Sequence, residues 1–333
     1  MAATVEQFLG WWTTLDFQTV WAAQPYRPRF FESLGLFPTA EARRGTLFQA
    51  EVTEDRVYFL ETRQRGSAGQ RTPDVKPKRA YAEIPHIPFD IRVDPSDLEN
   101  LDGGVGQNAV QMRKSGAAWL AQLLRKHKEH VYTTYDWHMA KAIEGVLVDT
   151  DAGATTLHSY FDLFGVTQPT ANLTNGQYLA DISALKLVVQ DLMGGDMFEG
   201  ISVICGTTFF NTLRNDSEII TAMDPSDSVS FVSADLNYDQ FSVRGVTFIH
   251  ARGMKGATPF IPLTKGRVVV NGSDQFQRID GSAYAMSQVN MPGVEVYTTT
   301  KVLDHEQGIE IKGQSNRLHV NTRPSVSIIV SLA

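Results

Sequence analysis

One cysteine, Cys205, is all the thiol the chain has. It can form no disulfide within the chain, so the fold must rest on packing and hydrogen bonds, and a reducing compartment suits it. Cys205 sits in the apolar run ISVIC, 201–205, which predicts a buried, inert thiol. Long hydrophobic runs are also absent. None approaches the roughly 20 apolar residues that a bilayer-spanning helix needs. The opening residues, MAATVEQFLGWWTTLDF, carry no basic region ahead of their apolar ones, which argues against a secretory signal. Without that route the sequons at Asn172, Asn215 and Asn271 carry no weight. Positive charge is in deficit, with 30 Lys and Arg against 37 Asp and Glu and a net charge of −7. Such a chain is a poor general binder of nucleic acid, because gripping phosphates takes Lys and Arg. It can still enclose nucleic acid without gripping it.

Catalytic signatures are missing as well. There is no GxxxxGK[ST] phosphate loop, no GxGxxG and no GxSxG nucleophile elbow. His127, His130 and His138 cluster in one stretch, but His127 and His130 stand only at i and i+3, without a matched carboxylate or thiolate partner. A solvated helix face accounts for them. Asp149 and Asp151 flank a predicted helix end and read as a turn, and DPSDSVSF from Asp224 reads as an exposed loop. No catalytic, cofactor-binding or metal-ligating residue is assigned, and no cofactor is expected.

What is present is a large globular composition: 333 residues, 42% hydrophobic and 20% charged. That length suggests two subdomains or one elaborate domain. Residues 1–45 are rich in aromatics, among them Trp11, Trp12, Trp21, Phe30 and Phe31, and prolines at 25, 28 and 38 deny the segment long helices. Apart from a short helix over Thr4–Trp12, it reads as an extended arm. Its aromatics need a surface to bury against, either the chain's own core or a neighbouring subunit.

Residues 46–61, TLFQAEVTEDRVYFLE, alternate partly and read as a strand pair or a long hairpin arm. Thr62–Tyr81 follows with two glycines, two prolines, one acid and six bases: Arg63, Arg65, Arg71, Lys76, Lys78 and Arg79. AEIPHIPFDIRV then returns, making a long two-stranded finger with a basic tip. The tip has three readings: a nucleic-acid contact, a solvated loop, or a contact with an acidic patch on another copy of the chain. It lacks interleaved aromatics for base stacking, and the acidic balance of the chain favours the last two.

Gln107–Val148 has no proline, and Val110, Ala117, Leu120, Leu124, Val131, Tyr135, Met139 and Ala142 recur at helical spacings. Gly116 costs about 1 kcal/mol there, and Gly145 stands where a helix would end. About 40 residues would give a rod of roughly 60 Å, more than one small core covers. Beyond 157 the pattern is mixed. His158–Phe164 reads as a strand or turn. Tyr178–Met193 reads as a helix whose apolar face is Leu179, Ile182, Leu185, Val189 and Leu192. Residues 201–205 read as a buried strand, Thr207–Leu213 as a helix, and 241–251 and 266–271 as strands. The end reads as sheet: 294–302, a short GIEIKG hairpin, and 325–332, with Val326, Ile328, Val330 and Leu332 on one face.

Three stretches carry a family resemblance. PRFFESLGLFPTAEARRGTLFQAEV (28–52), TPDVKPKRAYAEIPHIP (72–88) and the final RPSVSIIVSLA resemble, in that order, segments of the lambda-type phage major capsid protein family (phage major capsid protein E). Region 170–290 matches only in general pattern. The resemblance implies an α+β chain with the HK97-like (Hong Kong 97) phage capsid fold. It implies an N-terminal arm over 1–45, an extended β-hairpin loop over 46–93 and a peripheral domain with a long spine helix over 94–156. An α/β axial domain over 157–290 and a closing peripheral sheet over 291–333 complete it. The implied function is a structural protein, not an enzyme, that forms pentamers and hexamers of an icosahedral head around packaged double-stranded DNA. Partners implied are further copies of itself, a portal protein, a separate scaffolding protein and a decoration protein, with no membrane and no sequence-specific DNA contact. The finger tip bases and Trp11, Trp12, Trp21, Phe30 and Phe31 of the arm are the expected inter-subunit contacts. An encapsulin-like nanocompartment shares the fold and is the alternative; a soluble α/β enzyme is a more distant one.

Overall fold

The computed structural model describes residues 17–25, 29–52, 78–99, 109–149, 155–222, 239–255, 258–288 and 290–333. In chain order the helices are α1 (Phe17–Ala23), α2 (Phe30–Ser33), α3 (Pro95–Glu99), α4 (Ala109–Glu144), α5 (Tyr160–Phe164), α6 (Tyr178–Met193), α7 (Thr207–Arg214) and α8 (Ser217–Ala222). The strands of the first half are β1 (Glu41–Ala42), β2 (Leu47–Val52), β3 (Lys78–Glu83), β4 (Ile87–Val93), β5 (Val146–Val148), β6 (Thr156–Ser159) and β7 (Thr170–Leu173). Those of the second half are β8 (Gly200–Cys205), β9 (Gln240–Val243), β10 (Val246–His250), β11 (Met254–Lys255), β12 (Thr258–Pro259), β13 (Lys265–Asn271) and β14 (Phe276–Asp280). They continue with β15 (Tyr297–Val302), β16 (Ile309–Ser315), β17 (Arg317–Asn321) and β18 (Ile329–Leu332).

The proline-free stretch folds as one helix. α4 has 36 residues, about 54 Å at 1.5 Å per residue. Leu120, Leu124, Val131, Tyr135, Met139 and Ala142, the spaced apolar positions with described side chains, are all buried. The helix stops at Gly145, whose φ of 86° is left-handed. A Cβ there would stand 2.2 Å from the Phe161 ring, so the position needs glycine both for its backbone and for the space. The turn leads into the β5–β6 hairpin. Asp149 lies at its end, its N–H donating to the Thr155 carbonyl at 2.8 Å.

Two cores divide the chain. One gathers α4, the arm, the base of the finger and strands β14 and β17. The other lies under a six-stranded sheet in the order β7-β18-β13-β8-β10-β9. One face of that sheet, with Val203, Cys205, Phe248, Val268 and Val270, is covered by Ile182, Leu185, Val189 and Met193 of α6 and by Phe209, Phe210 and Leu213 of α7. Full burial of each such side chain stabilises by about 1.5–3 kcal/mol. Gly194, left-handed at φ 65°, caps α6. Cys205 is fully buried, and burial pushes its thiol well up.

Several sequence expectations need correction. His158–Phe164 divides between the end of β6 and helix α5, because the Ser159 hydroxyl accepts from the Asp162 N–H and caps a turn. Leu192 is exposed and Met193 takes its place in the core. GIEIKG is no hairpin: it lies in β16, which pairs on one side with β15 and on the other with β4. The finger returns through β3, paired with β2 from Leu47↔Glu83 to Val52↔Lys78. β4 leaves it for that three-stranded sheet, so the expected 46–93 unit divides near residue 84. The expected boundary at 290 is also crossed. β14 pairs with β17, and β18 pairs with β13 and β7. His138 is buried, not solvated.

Candidate functional site

The arm is fastened to the long helix by groups the sequence scatters a hundred positions apart. The Asp136 carboxylate accepts the Phe31 N–H at 2.9 Å, and burial pushes its pKa up to about 6. Lys128 reaches up from the helix and donates to the carbonyls of Trp21 at 3.0 Å and Gln24 at 2.9 Å. The Trp21 ring stacks on Phe89 with centroids 5.3 Å apart. Trp21 is 4% exposed and Phe31 0%. This chain's own core covers both side chains. Phe30 is half-buried against the same core, edge-on to Phe31. Trp11 and Trp12 lie outside the described residues.

Of the finger-tip bases, Arg63, Arg65, Arg71 and Lys76 lie outside the described residues. Lys78 and Arg79 belong to β3, where they stand opposite Val52 and Glu51. The structure therefore places the last two bases at the finger's described end.

Beneath the arm lies an ionic cluster that no local sequence pattern signalled. Arg317 meets both oxygens of Asp280, at 2.7 and 2.9 Å, and Glu295 at 3.2 Å. Its guanidinium also lies over the Tyr135 ring, 4.9 Å from the centroid. The Tyr135 hydroxyl bonds to Ser315, whose hydroxyl in turn donates to the Glu295 carbonyl at 2.8 Å. The cluster ties α4 to β14, β16 and β17. Arg317 and Asp280 side chains are each 8% exposed, and only Glu295, at 35%, opens the cluster's edge to solvent. Among the described residues no group of three or more His, Cys, Asp or Glu is placed to hold a metal ion. Nor is any helix among them long and apolar enough to cross a membrane.

What the surface does offer is contact area. At the finger base Leu47 and Tyr81 are exposed on the outer face of the β2–β3 ribbon. Nearby, Tyr284, Met286 and Met291 stand out from a loop fixed at both ends. Gly281 N–H donates to the Asn316 carbonyl at 2.8 Å and Gly293 N–H to the Arg43 carbonyl at 3.0 Å. Leu187, Val188 and Leu192 form a further apolar stripe on α6. Exposed apolar groups gathered in patches mark surfaces that other proteins cover.

The profile of the family described as phage major capsid protein E matches residues 13–332. No curated protein matches the chain. Among solved structures, a protein of an E. coli CFT073 prophage, described as a capsid protein, is similar with a TM-score of 0.52 at 13% identity, over 100% of both chains. The capsid protein of Ralstonia phage GP4 gives 0.50 at 10% identity, over 93% of this chain and 92% of that one. At such identities these likenesses establish the fold, the HK97-like capsid fold. With a profile that runs over nearly its whole length, the chain belongs to the phage major capsid protein E family, whose members are structural proteins and not enzymes.

Proposed function

We propose that the chain builds the icosahedral head of a tailed phage, assembling in the host cytoplasm as hexamers and pentamers around double-stranded DNA. The single observation that carries this reading is the family match over residues 13–332. The physical chemistry is compatible with it. A net charge of −7 makes the shell a container that does not adhere to its genome, since like charges repel. Heterologous contacts that close into rings are what a shell requires. A portal protein, a scaffolding protein and a decoration protein are the partners this role implies. In the same role the basic finger tip, with Arg63, Arg65, Arg71, Lys76, Lys78 and Arg79, reaches an acidic surface on the next subunit.

The test is electron microscopy and sedimentation of the purified chain, alone and co-expressed with the scaffolding protein of its own phage. Capsomers or closed shells are the expected result. A compact monomer under every assembly condition would overturn the reading.

A further inference from the structure

Two Asn-Gly dipeptides occur in the chain, Asn175–Gly176 and Asn271–Gly272. Asparagine before glycine carries an intrinsic reaction, because the glycine nitrogen can reach the asparagine side-chain carbonyl carbon with no side chain in the way. The fold decides whether it does so. The reaction needs an amide group that is not held, a backbone nitrogen that is not held, and room for the peptide to turn.

Asn175 and Gly176 are the central residues of the turn between β7 and α6. The Gln177 N–H donates to the Thr174 carbonyl at 3.0 Å. Gly176 takes a left-handed φ of 79°, which the third position of such a turn asks of glycine. Both residues are exposed. Neither the Asn175 side chain nor the Gly176 N–H has a hydrogen-bond partner among the described residues. No atom beyond the chain neighbours stands within 4 Å of where a Gly176 Cβ would be.

Asn271 is held instead. It ends β13, opposite Gly200. Its side-chain amide donates to the Ser202 hydroxyl at 2.9 Å, and its carbonyl accepts the Glu199 N–H at 2.9 Å. The Glu199 side chain fills the space beside Gly272, 2.5 Å from where a Cβ would sit. Closing a ring there breaks the first bond and strains the second, so it waits on local opening of the sheet.

We infer that Asn175 is a site of spontaneous deamidation in the folded subunit and that Asn271 is protected from it. The Gly176 nitrogen attacks Asn175 Cγ. That carbon–nitrogen bond forms, the side-chain carbon–nitrogen bond breaks, and the Gly176 amide proton leaves with the side-chain nitrogen as ammonia. Water then opens the cyclic imide. Breaking the new bond gives aspartate, and breaking the original peptide bond gives isoaspartate. Water is the sole co-reactant.

The place gives the product its consequence. Either product adds one negative charge to a chain of net −7. It does so at the head of α6, where two carboxylates already accept backbone N–H groups. Thr174 donates to Asp181 at 2.7 Å, and Tyr178 and Leu179 donate to Glu218 at 2.9 and 3.2 Å. Isoaspartate also inserts a methylene carbon into the backbone of the turn that joins β7 to α6.

The test is peptide mapping by mass spectrometry of soluble subunits of the full chain, incubated native in one arm and unfolded in guanidinium chloride in the other. Electron-transfer fragmentation separates aspartate from isoaspartate. In the native arm the peptide holding Asn175 should gain the amide-to-acid mass and isoaspartate, at a rate close to that of the unfolded arm. Asn271 should convert at least about tenfold more slowly native than unfolded, since its sheet must open first. Asn175→Gln changes an exposed side chain, so it should leave circular dichroism and melting unchanged, and it should remove the acidic species that isoelectric focusing detects in aged native protein. Asn175 that stays intact in the native arm while converting in the unfolded arm would overturn the inference. So would native Asn271 converting as fast as native Asn175, or an acidic species that forms undiminished in Asn175→Gln.

Discussion

The imidazoles of His319 and His138 face each other edge-on in the interior of one subunit, their ring centroids 6.4 Å apart. Neither ring nitrogen of His319 meets a hydrogen-bond partner among the described residues. Burial, and after it the charges of His138, Arg317 and Arg278, hold its pKa well below the ordinary histidine value. The unfolded chain therefore takes up a proton near pH 6.5 that the folded chain refuses. Stability contributed by the neutral ring is complete above that pH and is lost as pH falls below it. At pH 5.5 part of that stability should already be lost. Asp136 acts in the opposite sense: with its pKa raised to about 6, protonation favours the fold as pH falls from there toward 4. The informative quantity is the difference between the wild type and His319→Phe. In urea melts from pH 7.5 to 5.0 the variant should lose less stability on acidification, and parallel curves would refute the assignment.

A second prediction concerns the bidentate pair. Removing Asp280 leaves Arg317 buried with Glu295 as its remaining carboxylate partner. Breaking such a pair from one side costs roughly 3–5 kcal/mol. Asp280→Ala should fall in that range. Asp280→Leu combined with Arg317→Met should cost less than the two single changes added together. Additive losses across the double-mutant cycle would mean the pair contributes no coupling.

At Gly145 the backbone is left-handed and the space where a Cβ would sit is filled by the Phe161 ring. Gly145→Ala should therefore destabilise by more than about 1 kcal/mol, the opposite of the gain glycine replacement brings where the backbone suits alanine. Differential scanning calorimetry of soluble subunits measures it. An unchanged or raised melting temperature would show that the helix end relaxes freely.

The basic finger tip gives a prediction about assembly. Changing Arg63, Arg65 and Arg71 to Glu should leave subunit circular dichroism and melting unchanged while the yield of shells falls sharply. At low salt, added polyanions should compete with wild-type assembly, because the exposed charges are then least screened. Single exposed ion pairs contribute only about 0–1 kcal/mol, so the effect depends on repetition around each capsomer. Normal shells from the triple variant would reject the tip as a contact.

Much of this architecture was legible in the sequence where one local cause decides the outcome. The long helix needed only apolar spacing and the lack of proline. The bounds of α6 followed from its period, although the period did not distinguish Leu192 from Met193. The arm was harder, because aromatic composition says that Trp21 and Phe31 will be buried but not by whose surface. Asp136 and Lys128 decide that, from about a hundred positions away. The Arg317–Asp280–Glu295 cluster and the His138–His319 contact were not legible at all, since each joins segments that no periodicity relates. The final strand was recognisable as a strand from Val326, Ile328, Val330 and Leu332, but alternation does not name a partner, and the chain carries it into the other sheet.

That last strand has a consequence for timing. β18 is an interior strand, flanked by β13 and by β7, and among the described residues β7 pairs with no other strand. Until residues 329–332 leave the ribosome, β7 has no neighbour and the sheet is incomplete. At bacterial synthesis rates of about 5–20 residues per second, the wait after residue 173 is roughly 8–30 s. Nascent chains that stop short of residue 329 thus lack the finished sheet.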